Sequence, residues 1–388
     1  MAQETFAFSS SALRSLRFQR ELLEQEDRRR ALARESATRR FLPARPRPPL
    51  TPPRRPQYCR DPAVHNALYA GDLPRIKSIF KDETTTNLVM ETVSEELVWS
   101  PEQGLWVLSP RRQQTSALRI AAGRGCAELL LAHGAQVNLG TRDREVTALH
   151  VAARQGLVAH VELYLRHGAE PGRRSHQGET PLNAACAAAE RPEDAERYQR
   201  VAELLLAAGA DPGAAGRKDH TPLHNACGNG QPRLARLLLR HGADATVPNC
   251  AGYTPLDCAL HAVDEYRHQR PEQTIALLLD HGAGPVHPKM LKFCCRHPPA
   301  LEVVLNAYDR IPPAESWVGA VPPELWEEHR DFYASAVRMA GQPRRLQHLA
   351  RCAVRRHLGA RCHAAIPKLD LPPPLRRYLQ LPLEGLIS

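Results

Sequence analysis

The sequence predicts an all-α protein in which a solenoid of helix–turn–helix units with hairpin tips precedes a smaller helical domain. One short motif recurs five times in the middle of the chain, starting at Ser116, Thr147, Thr180, Thr221 and Thr254. Each copy is followed by a Gly-Ala pair, and successive pairs are 34, 41, 33 and 40 residues apart. Repetition at this period is typical of helical solenoids. A separate apolar helix stripe near the C-terminus predicts the second domain.

The N-terminal segment lies outside this pattern. Residues 1–40 predict a basic helix, because three leucines share a helical spacing and Glu–Arg pairs stand four residues apart. Residues 41–60 predict a linker rich in proline and arginine, since proline lacks an N–H group and has a fixed φ. The first 57 residues carry 13 basic and 6 acidic side chains.

Weaker copies of the repeat flank the five clear ones. Residues 61–114 predict a degenerate first repeat with an inserted hairpin, whose strands would carry Trp99 and Trp106. We expect both indoles to pack over the first helices, with an exposed recognition surface as the alternative. Residues 115–285 hold the five repeats. Residues 286–342 predict a degenerate capping repeat and a connector.

The residue types within each unit follow from helix chemistry. A threonine such as Thr180 caps the first N–H groups of a helix with its hydroxyl, and the proline after it loses no hydrogen bond there. Alanines let the first helix approach its neighbours, and leucine runs on the second helix pack against the next unit. The glycine of each Gly-Ala pair takes the left-handed conformation that ends a helix. Units of this kind, with a period of about 33 residues, resemble ankyrin repeats.

Charge and composition narrow the classes of partner. The formal net charge is +10, but residues 58–343 carry 30 basic and 34 acidic side chains, which argues against a nucleic-acid surface spread over the body. The basic excess lies at the two ends, with 9 basic and 2 acidic residues in 344–388. We expect these ends to be solvated, with contact to RNA or acidic lipid as the alternative.

Several signals of other protein classes are missing from the sequence. No run reaches the roughly 18 apolar residues of a membrane helix, and the N-terminus lacks the apolar core of a signal peptide. We therefore expect no membrane partner. The ten cysteines form no Cys-x-x-Cys pair, which indicates reduced thiols and predicts a cytoplasmic or nuclear location.

The sequence also lacks the motifs of common enzymes. It contains no phosphate-binding Gly-x-x-x-x-Gly-Lys-Ser/Thr, no His-Glu-x-x-His and no Gly-x-Ser-x-Gly. We expect no catalytic residues, no cofactor and no metal. His357, Cys362 and His363 are neighbours but lack a second ligand pair at zinc-finger spacing.

Residues 343–388 form the second predicted domain. An apolar stripe at helical spacing is followed by the Leu-Pro-rich segment Ile366–Leu375 and then by Tyr378. This segment resembles a SOCS box. The order of an ankyrin array and then a SOCS box is similar to the ankyrin repeat and SOCS box family.

That resemblance implies a non-catalytic substrate receptor of an E3 ubiquitin ligase. In the family, the first helix of the box binds elongin C, which brings elongin B, and the next stretch selects cullin-5 with its RING protein. The ankyrin array recognises the target protein, whose ubiquitination leads to proteasomal degradation. The implied elongin C contacts are Leu346, Leu349, Ala350, Val354 and Leu358. The implied cullin contacts are Ile366, Pro367, Leu369, Leu371, Pro372, Leu375 and Tyr378.

Two positions depart from the family's motifs. Ala350 stands where the elongin motif has cysteine, and Asp370 stands where the cullin motif has a proline. Alanine still fits a small pocket but buries less apolar surface, at about 25 cal/mol per Å². These departures keep a second hypothesis open, in which the chain is an ankyrin scaffold that recruits no cullin. Binding of nucleic acid or membrane by the basic ends is a third.

The identity of the protein substrate cannot be derived from the sequence. The hairpin tips between repeats make few packing contacts within the array, so they are the predicted contacts with a target. Their mixed charge suggests a polar protein epitope. The candidate residues are Arg142, Arg144, His176, Lys218 and Asn249.

Overall fold

A computed structural model describes residues 58–100, 105–121, 123–141, 144–383 and 387; for 93–100 and 105–113 it describes the backbone alone. The predicted N-terminal helix and all but the last residues of the predicted linker lie outside these residues. The side chains of Trp99 and Trp106, whose packing the sequence predicts, and the side chain of Arg142 are also outside the described part. None of the helices in the described part of the chain is long and apolar enough to span a bilayer.

The first part of the described chain combines short helices with a small sheet. Its elements are β1 (Tyr58–Cys59), α1 (Pro62–Ala70), α2 (Leu73–Ile79), α3 (Glu83–Thr86), β2 (Val89–Ser100) and β3 (Leu105–Ser116). β2 and β3 pair antiparallel, with Trp99 opposite Trp106, and β1 lies parallel to β2. The predicted hairpin is therefore present, as an insertion between α3 and the first clear repeat.

Five helix pairs follow, one for each copy of the motif. They are α4 (Ala117–Ile120) and α5 (Arg124–Ala132), α6 (Ala148–Arg154) and α7 (Val158–Arg166), α8 (Pro181–Ala188) and α9 (Ala195–Ala207), α10 (Pro222–Gly228) and α11 (Pro232–Arg240), and α12 (Pro255–His261) and α13 (Pro271–Asp280). The predominantly helical fold predicted from the sequence is confirmed.

The ends of these helices use the chemistry that the sequence predicts. Thr221 and Thr254 each form a capping box with the third residue of the helix, so both side chains and backbone N–H groups are satisfied. In the five Gly-Ala pairs that end the repeats, the glycine has a φ of 80–91°, which is the left-handed conformation. Ser116 makes no side-chain capping hydrogen bond, so the first helix of the first repeat begins without this stabilisation.

Packing of successive units makes the core continuous. The first helices stack on one another from α4 to α12, and the second helices do the same from α5 to α13. Tyrosines tie neighbouring units together: the Tyr164 hydroxyl donates to the Leu118 carbonyl at 3.2 Å, and the Tyr198 hydroxyl to the Arg154 carbonyl at 2.9 Å. Stability is therefore shared between units, as expected of a solenoid.

The C-terminal part caps the array and carries the smaller domain. Its helices are α14 (Leu291–Cys294), α15 (Pro298–Ala307), α16 (Pro323–Glu328), α17 (Arg330–Met339), α18 (Leu346–Leu358), α19 (Cys362–Ala365) and α20 (Pro373–Leu379). α16 and α17 have no counterpart in the sequence prediction. They cover the capping pair α14–α15, where Trp317 is buried and the Tyr333 hydroxyl donates to the Cys295 carbonyl at 2.7 Å.

Candidate functional site

Helix α18 is the helix predicted from the C-terminal apolar stripe. It begins at Leu346, after Arg345 in extended backbone, and ends at Leu358, where Gly359 has a φ of 53°. Basic residues occupy its last turn, which suits the helix dipole. A helix of this length is marginal on its own, so its position depends on what it packs against.

The two faces of α18 have opposite exposures. On one face Leu346 is 84% exposed, Leu349 38% and Val354 37%. On the other face His348 and Arg351 are buried. Because residues three and four apart share a helix face, the helix is docked through its polar side. Its apolar stripe is left in contact with solvent.

His348 is the centre of the docked face. Its Nε2 donates to the Tyr308 carbonyl at 2.7 Å, and its Nδ1 accepts from Arg344 Nη2 at 3.1 Å and from Arg351 Nη2 at 2.9 Å. These partners require a neutral ring protonated on Nε2. Burial lowers the pKa of His348 to about 4, and the two guanidinium groups act in the same direction.

Two arginines of α18 connect the helix to other elements. The Arg351 guanidinium stacks on the ring of Tyr378, with Cζ 4.3 Å from the ring centroid, and its Nη2 donates to the Asn306 carbonyl at 3.1 Å. Arg355 donates to Asp280 Oδ1 and to the Leu379 carbonyl, both at 2.7 Å. α18 is thereby held to the last repeat, to the capping pair and to α20.

The rest of the domain folds around a small core of its own. Cys362, Ile366 and Leu379 are buried together, with three leucines packed at their edge. Next to this core, a Cβ on Gly282 would lie 2.8 Å from the backbone nitrogen of Ala360. The turn after α18 therefore needs a glycine at the end of the last repeat.

Known protein families match both parts of the chain. The SOCS box model matches residues 342–380, and the model of three ankyrin repeats matches residues 118–214 and 187–288. Across the whole of both chains, the sequence is 49% identical to "Ankyrin repeat and SOCS box protein 16" of Mus musculus and of Homo sapiens. The chain belongs to the ankyrin repeat and SOCS box family. It is also 43% identical to "Ankyrin repeat and SOCS box protein 18" of Homo sapiens, over 69% of this chain and 59% of that protein.

The residues that the SOCS box resemblance assigns to elongin C form the exposed stripe of α18. Leu346, Leu349, Ala350 and Val354 are all exposed, and Leu358 is half-buried beside the core of the box. Cys352 lies on the opposite, buried face of the helix. It therefore cannot take the place of the cysteine that Ala350 replaces.

The residues assigned to cullin are divided between surface and interior. Pro367, Pro372 and Leu375 are exposed, Leu369 and Leu371 are half-buried, and Asp370 is exposed. Ile366 is buried in the small core, and Tyr378 lies beneath Arg351. The geometry gives these last two a packing role inside the SOCS box.

The predicted target-binding tips also differ in exposure. Arg144, His176 and Lys218 are exposed. Asn249 is a correction, because its side chain is buried: Oδ1 accepts from the backbone nitrogens of Ala251 and Tyr253, and Nδ2 lies 3.0 Å from His220 Nε2. Asn249 stabilises its turn and does not face solvent.

Sequence reasoning missed the residues that dock the SOCS box. It gave no role to Arg351, whose side chain is buried, or to His348 and Asp280. One available signal was the spacing of His348, Arg351 and Arg355, which marks a second ridge opposite the leucines.

The residues considered for a metal have other contacts. The Cys362 thiol is buried and lies 3.3 Å from the Arg355 carbonyl, and the His363 ring stacks on His281 at a centroid distance of 4.0 Å. Within the described ranges, no three His, Cys, Asp or Glu side chains come together as a metal site requires.

Proposed function

We propose that the chain is the non-catalytic substrate-recognition subunit of an elongin B/C–cullin-5–RING E3 ubiquitin ligase. Its ankyrin array binds the target protein, and its SOCS box recruits the ligase, which leads to ubiquitination and proteasomal degradation of the target. One observation carries this proposal: α18 is docked by its polar face and exposes its leucines.

The exposure of this stripe supports a receptor role over that of a simple cap on the array. If the SOCS box served only to close the array, the leucines would face the last repeat, because burying apolar surface gives about 25 cal/mol per Å². Instead, Arg344, His348 and Arg351 make the docking contacts. The apolar face of α18 therefore remains available for a groove on another protein, a common mode of helix recognition.

The segment after α18 supports recruitment of a cullin. Pro367, Pro372 and Leu375 form an exposed surface next to the helix, held in place by the small core beneath it. Asp370 adds a charge to this surface where the family motif has a proline. We propose that cullin-5 and its RING protein bind here, with contacts from Leu369 and Leu371.

Co-expression of the full chain with elongins B and C, followed by size-exclusion chromatography with and without cullin-5, tests this proposal. The variants are Leu346→Asp, which puts a charge into the stripe, and Val247→Asp, a matched change at an exposed apolar residue of the array. We expect the wild type and Val247→Asp to co-elute with both elongins and to take up cullin-5. We expect Leu346→Asp to elute alone.

Other results would contradict specific parts of the proposal. Elongin binding that survives Leu346→Asp would show that the stripe is not the contact. A complex with elongins that does not take up cullin-5 would overturn the choice of cullin and implicate Asp370. A wild-type chain that elutes alone would contradict the ligase proposal and favour the alternative, an ankyrin scaffold that recruits no cullin.

The same proposal includes a location in the cytoplasm or nucleus. All ten cysteines are free thiols, and most are buried. Burial raises the pKa of thiols such as Cys186, which keeps them protonated and unreactive. This state suits a reducing compartment. Fractionation of cells that express the tagged chain would test the location.

A further inference from the structure

Three cavities adjoin along the first helices of the array. The first, of about 390 Å³, lies between α1, α4 and α6. It shares Arg119, Val151 and Gln155 with a second cavity of about 210 Å³. The second shares Glu179 with a third, of about 400 Å³, which extends to α10. We call the three together the inner groove.

The charged side chains that line the inner groove are nearly all basic. Among its described lining residues, Glu179 is the single carboxylate, and it is paired with Arg154 at 2.6 Å. The basic residues are Arg119, Arg144, Arg154, Arg217 and Lys218. The groove therefore carries a marked excess of positive charge.

The basic residues are close enough to repel one another. Burial lowers the pKa of the Arg119 guanidinium, and the charges of Arg144 and Arg154 lower it further. Arg119 Nη1 donates to the Thr115 hydroxyl at 3.3 Å, which holds this cation in the wall shared by the first two cavities. A carboxylate bound there would relieve the repulsion, because opposite charges within a few ångströms favour the charged forms.

This positive charge does not come from a basic body. Residues 58–343 carry 30 basic and 34 acidic side chains, so the surface that this segment presents outside the groove is on balance acidic. A long polyanion such as a nucleic acid would meet that acidic surface wherever it left the groove. A short acidic segment would meet only the groove. Between the cations the wall is apolar or neutral, for example at Ile120 and Val151, as a peptide backbone and side chains require.

We propose that the inner groove binds an extended, carboxylate-rich segment of the target protein. This inference rests on the proposed function, because it names the chemical class of the target that the ankyrin array recognises. Arg119 and Arg154 hold carboxylates at the centre, and Arg144 and Lys218 at the rim attract the segment and set its register. Rim charges act mainly on the association rate and on specificity.

The test selects short random peptides on the full chain in complex with elongins B and C and measures their affinities by fluorescence anisotropy. The groove variant is the double change Arg144→Glu and Lys218→Glu. The matched control is Arg236→Glu and Arg240→Glu, two exposed arginines of α11 outside the groove. We expect peptides enriched in Asp and Glu, an affinity that falls with added NaCl, and at least about a tenfold loss in the groove variant alone.

Each alternative outcome overturns the inference. Neutral or basic selected peptides would do so, as would equal affinities for the groove and control variants. Tighter binding of a phosphoserine version of the peptide would assign the groove to a phosphorylated segment. Tighter binding of a single-stranded oligonucleotide would assign it to nucleic acid.

Elongin binding, measured on the same samples, separates this inference from the proposed function. We expect the groove variant to retain both elongins, since its substitutions lie outside the SOCS box. If the wild-type chain bound no elongin, the selection would be repeated on the chain alone. If the chain alone selected acidic peptides and the groove variant failed to bind them, the inference would stand although the ligase proposal had failed.

Discussion

Arg355 of the SOCS box donates to Asp280 at the end of the last ankyrin repeat, at a distance of 2.7 Å and across 75 residues of sequence. Only 10% of the arginine side chain and 24% of the aspartate side chain are exposed. Burial raises the pKa of Asp280, and Arg355 opposes that shift. The pair therefore helps to fix where the SOCS box sits on the array. In the complex that we propose, it would also help to fix the position of elongin relative to the target.

We expect Arg355→Ala to destabilise the chain by about 1–3 kcal/mol, because it leaves Asp280 buried without its partner. The matched control is Arg356→Ala, which breaks an exposed pair with Asp309 at the same distance. That change should cost less than about 1 kcal/mol. Urea unfolding with hydrogen exchange in α18 would measure both. Equal losses in the two variants would show that Arg355 does not anchor the box.

We expect Gly282→Ala to weaken the junction between array and SOCS box more than Gly242→Ala weakens the array. Both glycines have a φ near 90°, so both changes introduce the same backbone strain. A Cβ at position 282 would also meet the Ala360 backbone at 2.8 Å, whereas one at position 242 meets no atom within 4 Å. The extra loss should be about 1–3 kcal/mol. Limited proteolysis after α18 would detect the displaced box, and equal sensitivity of the two variants would contradict the packing argument.

The sequence predicted those features that depend on local chemistry. Threonines such as Thr221 and glycines such as Gly242 act within their own turn of chain, so their spacing was enough to place the repeats. α16 and α17 belong to no repeat and have no such markers. They depend on contacts with distant residues, such as that between Tyr333 and Cys295.

In the SOCS box, too, features set by local sequence were predictable, and features set by distant contacts were not. The apolar stripe of α18 is periodic, so the helix was predictable, but which face would dock was not. Arginine normally marks an exposed face. Arg351 is buried here because its guanidinium stacks on Tyr378 and donates to the Asn306 carbonyl. These partners are 27 and 45 residues away in the sequence. Asn249 was misjudged for a related reason, since its buried contacts depend on the turn and on His220 of the preceding repeat.

We expect His348 to make the docking of the SOCS box sensitive to acid. Its pKa is about 4 in the folded chain against an ordinary value of 6.5, so the unfolded chain binds the proton more tightly. The stabilisation is fully present above pH 6.5 and is lost as the pH falls towards 4. His348→Gln should therefore flatten the dependence of the unfolding free energy on pH in this window, by at most about 1.4 kcal/mol per pH unit. Parallel pH profiles for wild type and variant would contradict this, and the other histidines cancel in the comparison.

We expect Ala350→Cys to strengthen elongin C binding, because it restores the larger side chain of the family motif on the exposed stripe. If the thiol buries roughly 30 Å² more apolar surface, the gain is about 0.8 kcal/mol, or about fourfold in affinity. Ala364→Cys is the control, since Ala364 is also an exposed helical alanine but lies in α19, away from the stripe. Titration of the elongin B/C dimer onto each immobilised chain would measure the affinities. A gain in Ala350→Cys alone would locate elongin C on this stripe, whereas equal affinities for the two variants would show that position 350 does not contact it.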